Sequence, residues 1–303
     1  MTPRRRSIRS RCFPALALLA GIAGLALPAG ANEGAERPPR QSEVDSEHMF
    51  GFTVGSDIEE PGSIVPHFNT AAAFGRRGRL YSVIDQNFEL KYGLAPGVAV
   101  AAAFNGIAAR ARGVPGLPDT YSGGASGVGL SARFQILDRQ KSPVGLTLDV
   151  NGGYDSRDPG TARAATVWSG GVRAAFDSEL IYDRLFAAVN IGLDTQTRAS
   201  ADLPWTERSS GTFVAASVSA RLAPGVFVGL EASYRRAYEG QALGRFQGDA
   251  FYLGPSIYLT SGRSWLTLSV ATQIRGHEVG GSSGLNLREF ERHRVLLVFG
   301  KPL

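Results

Sequence analysis

Four histidines, His48, His67, His277 and His293, are the side chains here best suited to move protons near neutral pH. A hydrolase built on one of them needs a serine or threonine nucleophile within reach and a third group to orient the ring. On an extended strand, partners two residues apart share a face. His67 has Asn69 in that position, His277 has Val279, and no His-x-Ser occurs. No catalytic residue is therefore expected, and His277 and His293 read as solvated loop or rim residues. The glycine-rich pieces SGGASGVG (122–129) and VGGSSG (279–284) lack the lysine and the helix of a phosphate-binding loop. They read as junctions between loops and strands. The lone Cys12 lies in an N-terminal segment expected to be removed, which excludes disulfides and thiolate metal sites from the mature chain. No cofactor and no metal site is expected.

Charge is the chemistry that remains. Asp85, Glu89, Lys91, Arg133, Asp149, Asp155, Arg173, Asp177, Asp194, Arg221, Glu231, Arg235, Arg275, Arg292 and Arg294 all fall on the polar faces of alternating segments. Of 32 basic residues only Lys91, Lys141 and Lys301 are lysine. Arginine presents a planar fork that pairs carboxylates bidentately. Such a wall either pairs with itself and fills a narrow interior, or lines a selective pore.

The elements that would carry these charges show in the two-residue alternation. In LYSVIDQNFELKYG, Ile84, Phe88, Leu90 and Tyr92 share one face, while Asp85, Asn87, Glu89 and Lys91 share the other. VGLTLDVNGGYDS, RLFAAVNIGLDTQ and SWLTLSVATQIRG repeat the pattern. Twelve segments emerge, at about 63–75, 79–93, 97–108, 123–137, 143–155, 164–179, 183–195, 210–222, 225–238, 246–260, 264–276 and 290–299. Leu-Ala-Pro-Gly closes two of the short gaps, at 94–97 and 222–225, with proline fixing one turn dihedral and glycine supplying the positive one. Other gaps are long and polar: 109–122, 196–209 and 277–289.

Short turns at one end and long loops at the other, with segments of ten or more residues, match a closed antiparallel transmembrane β-barrel. The expected fold is all-β with about 12 strands, 14 being the alternative. Aromatics near segment ends, among them Tyr92, Trp168, Tyr182, Tyr252, Tyr258, Trp265 and Phe299, read as interfacial girdles. The stretch EHMFGFTVGSDI also looks strand-like and would break an even count. It is placed at or inside the periplasmic mouth.

Residues 1–31 carry five arginines, an apolar run from Phe13 to Leu27 and Ala29-Gly30-Ala31, the pattern of a cleaved signal peptide. Without those five arginines, 27 basic residues balance 27 acidic ones, so no nucleic-acid partner is expected. The expected organisation is a signal peptide over 1–31, a flexible leader over 32–46, a strand-like mouth segment over 47–62 and a barrel over 63–303.

HMFGFTVGSDIEEPG, AFGRRGRLYS, YDRLFAAVNIGLD, RAYEG and FERHRVLLVFG resemble a group of uncharacterised proteobacterial outer-membrane β-barrel proteins, porin- or transporter-like in type. The resemblance spans most of the mature chain and implies fold and location, with no catalytic residue to carry over. It places the chain in the outer membrane of a Gram-negative bacterium, with outer-membrane lipid, lipopolysaccharide and the barrel assembly machinery as partners. The cluster Arg76, Arg77 and Arg79 suits either the phosphates of lipid A or plain solvent. The expected function is a passive channel for small polar solutes. A non-conducting structural or lipid-interacting barrel is the alternative, and an outer-membrane hydrolase the third reading.

Overall fold

The computed structural model describes residues 44–303, apart from 202–204 and 282. The expected signal peptide, and the leader up to residue 43, lie outside the described residues. Twelve long strands dominate: β1 (Ile64–Phe74), β2 (Leu80–Ala95), β3 (Val98–Arg112), β4 (Thr120–Leu137), β5 (Gly145–Arg157), β6 (Ala164–Ile181), β7 (Leu185–Ala199), β8 (Glu207–Ala223), β9 (Val226–Glu239), β10 (Arg245–Ser261), β11 (Ser264–Glu278) and β13 (His293–Gly300). A two-residue strand, β12 (Ser283–Gly284), pairs with the end of β11.

Neighbouring strands are antiparallel in chain order from β1 to β11, and β13 pairs with both β11 and β1. The β1–β13 register runs from His67 opposite Gly300 to Phe74 opposite His293. The sheet therefore closes, and no long edge is left unpaired. This is the expected 12-strand barrel, and the 14-strand alternative falls away.

Alternation decides which side chains point where. On β2, Ile84, Phe88, Leu90 and Tyr92 are exposed on the outer surface, whereas Val83 and Lys91 are buried inside. The same outward belt continues through Phe104, Leu130, Leu148, Val172, Ile191, Leu230, Leu268 and Leu297. An apolar outer surface around a charged interior is the reverse of a soluble sandwich. Three of the expected girdle aromatics do not belong to it. Tyr252, Tyr258 and Trp265 share the parity of the inward Ser256, Thr267 and Ser269 and are buried in the lumen.

Both Leu-Ala-Pro-Gly turns are two-residue hairpins, with Gly97 at φ 78° and Gly225 at φ 72°. They lie at the end that also holds both ends of the barrel. At the opposite end, strands run further than their alternation suggested. β3 continues to Arg112 and β4 begins at Thr120, so the expected loop 109–122 shrinks to 113–119. Likewise β7 runs to Ala199 and β8 begins at Glu207, both inside the expected loop 196–209. Outside hydrocarbon a strand keeps its ladder without needing an apolar face, so the pattern fades before the strand does.

The strand-like reading of 47–58 is overturned. Residues 44–60 contain turns and bends and no strand, and they lie inside the barrel. Ser46, which the leader was expected to include, is fully buried with them. Alternating apolar residues suggested a strand, but Gly51 at φ 92° breaks the extended path.

Candidate functional site: a plugged lumen

Backbone groups of an irregular buried segment must find partners outside any ladder. Here the inward side chains of the wall supply them. Glu231 on β9 accepts from the Phe52 and Thr53 amides, both at 3.1 Å, and from Ser269 Oγ on β11. Asn190 on β7 accepts from the Val54 amide at 2.8 Å and donates to the Val54 carbonyl at 2.7 Å. Ser56 donates to Asp177 on β6, and Thr147 on β5 donates to the Ser56 carbonyl. Arg133 on β4 donates to the Gly55 carbonyl at 2.9 Å, and Thr267 on β11 to the His48 carbonyl at 2.6 Å. Arg139, in the β4–β5 turn, grips Asp57 and the Val44 carbonyl. Met49 and Phe50 then pack against Val65, Phe186, Phe227, Tyr258 and Trp265. A Cβ on Gly51 would stand 2.6 Å from the Ser269 Cβ, so only glycine lets the segment pass there.

Beside the apolar contacts sits an ionic cluster. Glu47 pairs with both Lys91 and Arg133. Arg133 Nε lies 2.8 Å from Asp149, which also accepts from Arg173 Nε at 2.6 Å. Glu59 lies 3.4 Å from Lys91, and His48 Nδ1 lies 2.7 Å from Asp45. Burial pushes the Glu47 carboxyl up, but Arg133 and Lys91 more than reverse it and hold it well below its usual range. Desolvation likewise pushes the Asp45 carboxyl up, yet His48 brings it below normal. Asp57 is raised, because burial outweighs Arg139. Glu59 is raised by burial and by the neighbouring Glu47 charge.

The far half of the lumen is more open. A cavity of about 970 Å³ is lined by Asp194, Arg198, Glu207, Arg235 and Glu239, and reaches Asn151 and Ser169. Those two residues also line a second cavity of about 210 Å³, with Asn87, Glu89, Asn105 and Asp155. Glu89, Ala101, Ser131 and Asn151 are shared in turn with a third, of about 200 Å³, that ends against Glu47 and Glu59. One polar track therefore runs from the loop end to the plug along the β2–β6 wall. Asn69, Asn87 and Asn105 stand opposite one another on β1, β2 and β3 and are hydrogen-bonded in series at 3.1 and 2.8 Å. On the β10–β11 side the way is filled. The chain before β13 folds inward, with Asn286 bonded to Gln273 and Tyr252 donating to the Glu291 carbonyl at 2.6 Å. Phe290 from this loop joins Ala250, Tyr252 and Ala271, and Phe52 of the plug packs onto the same cluster.

Among the expected lumen residues, Lys91, Arg133, Asp149, Arg173, Asp177 and Glu231 converge on the plug. Asp85 and Glu89 carry the inward parity on β2, and Glu89 lines the track. Asp155 accepts from Asn105 and Ser126. Arg235 lies over the Phe213 ring, 3.8 Å from Asp194. Arg221 pairs with Asp183 at the short-turn end. Arg294 lies over the rings of Phe52 and Tyr252.

Arg275 is a correction. A register shift opposite Phe251 and Tyr252 leaves Ile274 and Arg275 both exposed between buried Gln273 and Gly276, so the alternation slips by one and Arg275 leaves the lumen. Arg292 precedes β13 and is exposed at the rim, its amide bonded to Phe74 and Gly75. Two arginines of the 76–79 cluster have partners within the chain. Arg76 donates to the Glu289 carbonyl at 2.5 Å and lies over the Tyr81 ring, while Arg77 pairs with Glu278 at 2.5 Å. Arg79 stays exposed beside Gly113.

Residues 42–302 match the family described as "Family of unknown function (DUF6662)". The chain belongs to the DUF6662 family. No curated protein matches it. Solved structures do. The COG4313 outer membrane channel from Pseudomonas putida F1 is 12% identical, with 82% of this chain and 98% of that one covered and a TM-score of 0.54. The beta domain of the Bordetella autotransporter BrkA is 14% identical over 80% of this chain and all of that one, at 0.49. The TodX monoaromatic hydrocarbon channel deltaS2 mutant is 8% identical over 85% and 97%, at 0.41. The first likeness fixes the fold of this DUF6662 member as an outer-membrane-type barrel.

Proposed function

We propose that the protein is an outer-membrane channel of a Gram-negative bacterium that passes small polar solutes and favours cations. Its apolar belt would sit in outer-membrane lipid and lipopolysaccharide, with insertion by the barrel assembly machinery. The observation that carries the reading is the series of three polar cavities that share lining residues down one wall and reach the plug. Its middle stretch holds Glu89 and Asp155 and no basic side chain, so it favours positive charge there. The plug limits the passage to small solutes.

Planar-bilayer recording tests this. Wild type should give small discrete steps, and Ala103→Trp, placed in the middle cavity whose lining includes no plug residue, should reduce them several-fold. A wild type silent in bilayers and inert in liposome swelling would instead make this a non-conducting barrel. Under a salt gradient the reversal potential should have the sign of cation preference, and Glu89→Gln with Asp155→Asn should move it toward zero.

A further inference from the structure

Three side chains at the plug–wall junction are only partly accounted for by the contacts described so far. His48 and Glu59 come from the plug, and His67 comes from β1 with the inward parity of Val65 and Asn69. Each offers one ligand atom, and the three atoms lie within 4.8 Å of one another. Two of them are orphans. His67 Nε2 and Glu59 Oε2 are buried without a hydrogen-bond partner. An unsatisfied buried polar atom is costly, and two on side chains of one cluster call for an occupant. The third ligand is already oriented. Asp45 holds His48 Nδ1 at 2.7 Å, which leaves Nε2 to face inward, the carboxylate–histidine arrangement that supports metal-bound imidazoles.

We propose that His48, Glu59 and His67 bind one divalent transition-metal ion of the zinc class and thereby tie residues 44–60 to β1. Two imidazoles and one carboxylate are borderline ligands, suited to zinc rather than to calcium or magnesium. Ligands around zinc stand roughly 3.4 Å apart at bond lengths of about 2.1 Å. Binding would draw the ligand atoms together by up to about 1.4 Å from their present spacing.

Lys91 is the competitor. Its ammonium lies 3.3 Å from His48 Nε2 and 3.4 Å from Glu59, while Glu47 holds it from the other side. The ion takes the two longer contacts and Lys91 keeps Glu47. Around the site the carboxylates of Asp45, Glu47, Glu59 and Asp149 face the cations Lys91, Arg133 and Arg173, and this balance leaves room for added positive charge.

The test is zinc titration of the detergent-solubilised, chelator-stripped barrel against a chromophoric zinc indicator. Wild type should bind one zinc per chain. His67→Gln should weaken that binding at least tenfold, whereas His277→Gln and His293→Gln should leave it unchanged. Lys91→Met, which removes the competing ammonium, should bind at least as tightly as wild type. X-ray absorption of the loaded wild type should show two imidazole ligands. Unchanged affinity in His67→Gln, loss of binding in His277→Gln or His293→Gln, weaker binding in Lys91→Met, or fewer than two imidazoles overturns the site. If His67→Gln does not fold, the Lys91→Met titration and the absorption spectrum decide alone.

Discussion

Glu231 holds two backbone amides of the plug and one hydroxyl of β11, two strands along, with a single carboxylate. Glu231→Ala strands those amides, at about 1–3 kcal/mol for each buried group left unsatisfied. Hydrogen exchange at Phe52 and Thr53 should then rise well before the barrel melts. Glu47 makes a pH prediction. Its carboxyl is held below the usual range, so its contribution is complete above about pH 4 and fades as the pH falls through its lowered folded value. Asp45 works in the same direction. Asp57 and Glu59, raised by burial, work the other way, costing stability at neutral pH and less in acid. The melting difference between wild type and Glu47→Gln should therefore be large at pH 7 and shrink below about pH 4.

Strands are where the sequence spoke most clearly, because a side chain between lipid and lumen has only two choices. Leu130 and Ser131 test this as neighbours on β4, the first exposed on the outer surface and the second lining the track. Leu130→Arg should cost about 2–4 kcal/mol if it lies near the bilayer midplane. Ser131→Arg, one residue on, should leave the barrel folded; chemical melts in detergent and lipid would separate the two. Legibility ended where parity lost its meaning. Arg275 misled because one extra residue in β11 cannot be seen in an alternating pattern. The partners of Arg76 and Arg77, Glu289 and Glu278, could not be read locally because they lie more than 200 residues away. Trp265 looked like a girdle residue by type, although its own parity already set it with Thr267 and Ser269. The His48–Glu59–His67 group was invisible for a related reason. Nothing local says that an irregular segment folds back against the strand that follows it.

At the scale of the molecule, two inward-folding pieces divide the lumen. The plug fills the short-turn half, and the loop before β13 descends along β10 and β11 until Phe290 and Phe52 share one apolar cluster. The β2–β6 side holds the polar cavities that reach the plug. The plug bonds to β2, β4, β5, β6, β7, β9 and β11, seven strands spread around the circumference. Mechanically it is the hub of a wheel whose spokes are single hydrogen bonds and ion pairs. A bare hoop of this size flattens under sideways pressure from the bilayer; a spoked one resists, and it yields only when many spokes let go together. Any widening of the mouth is then an abrupt event rather than a graded one.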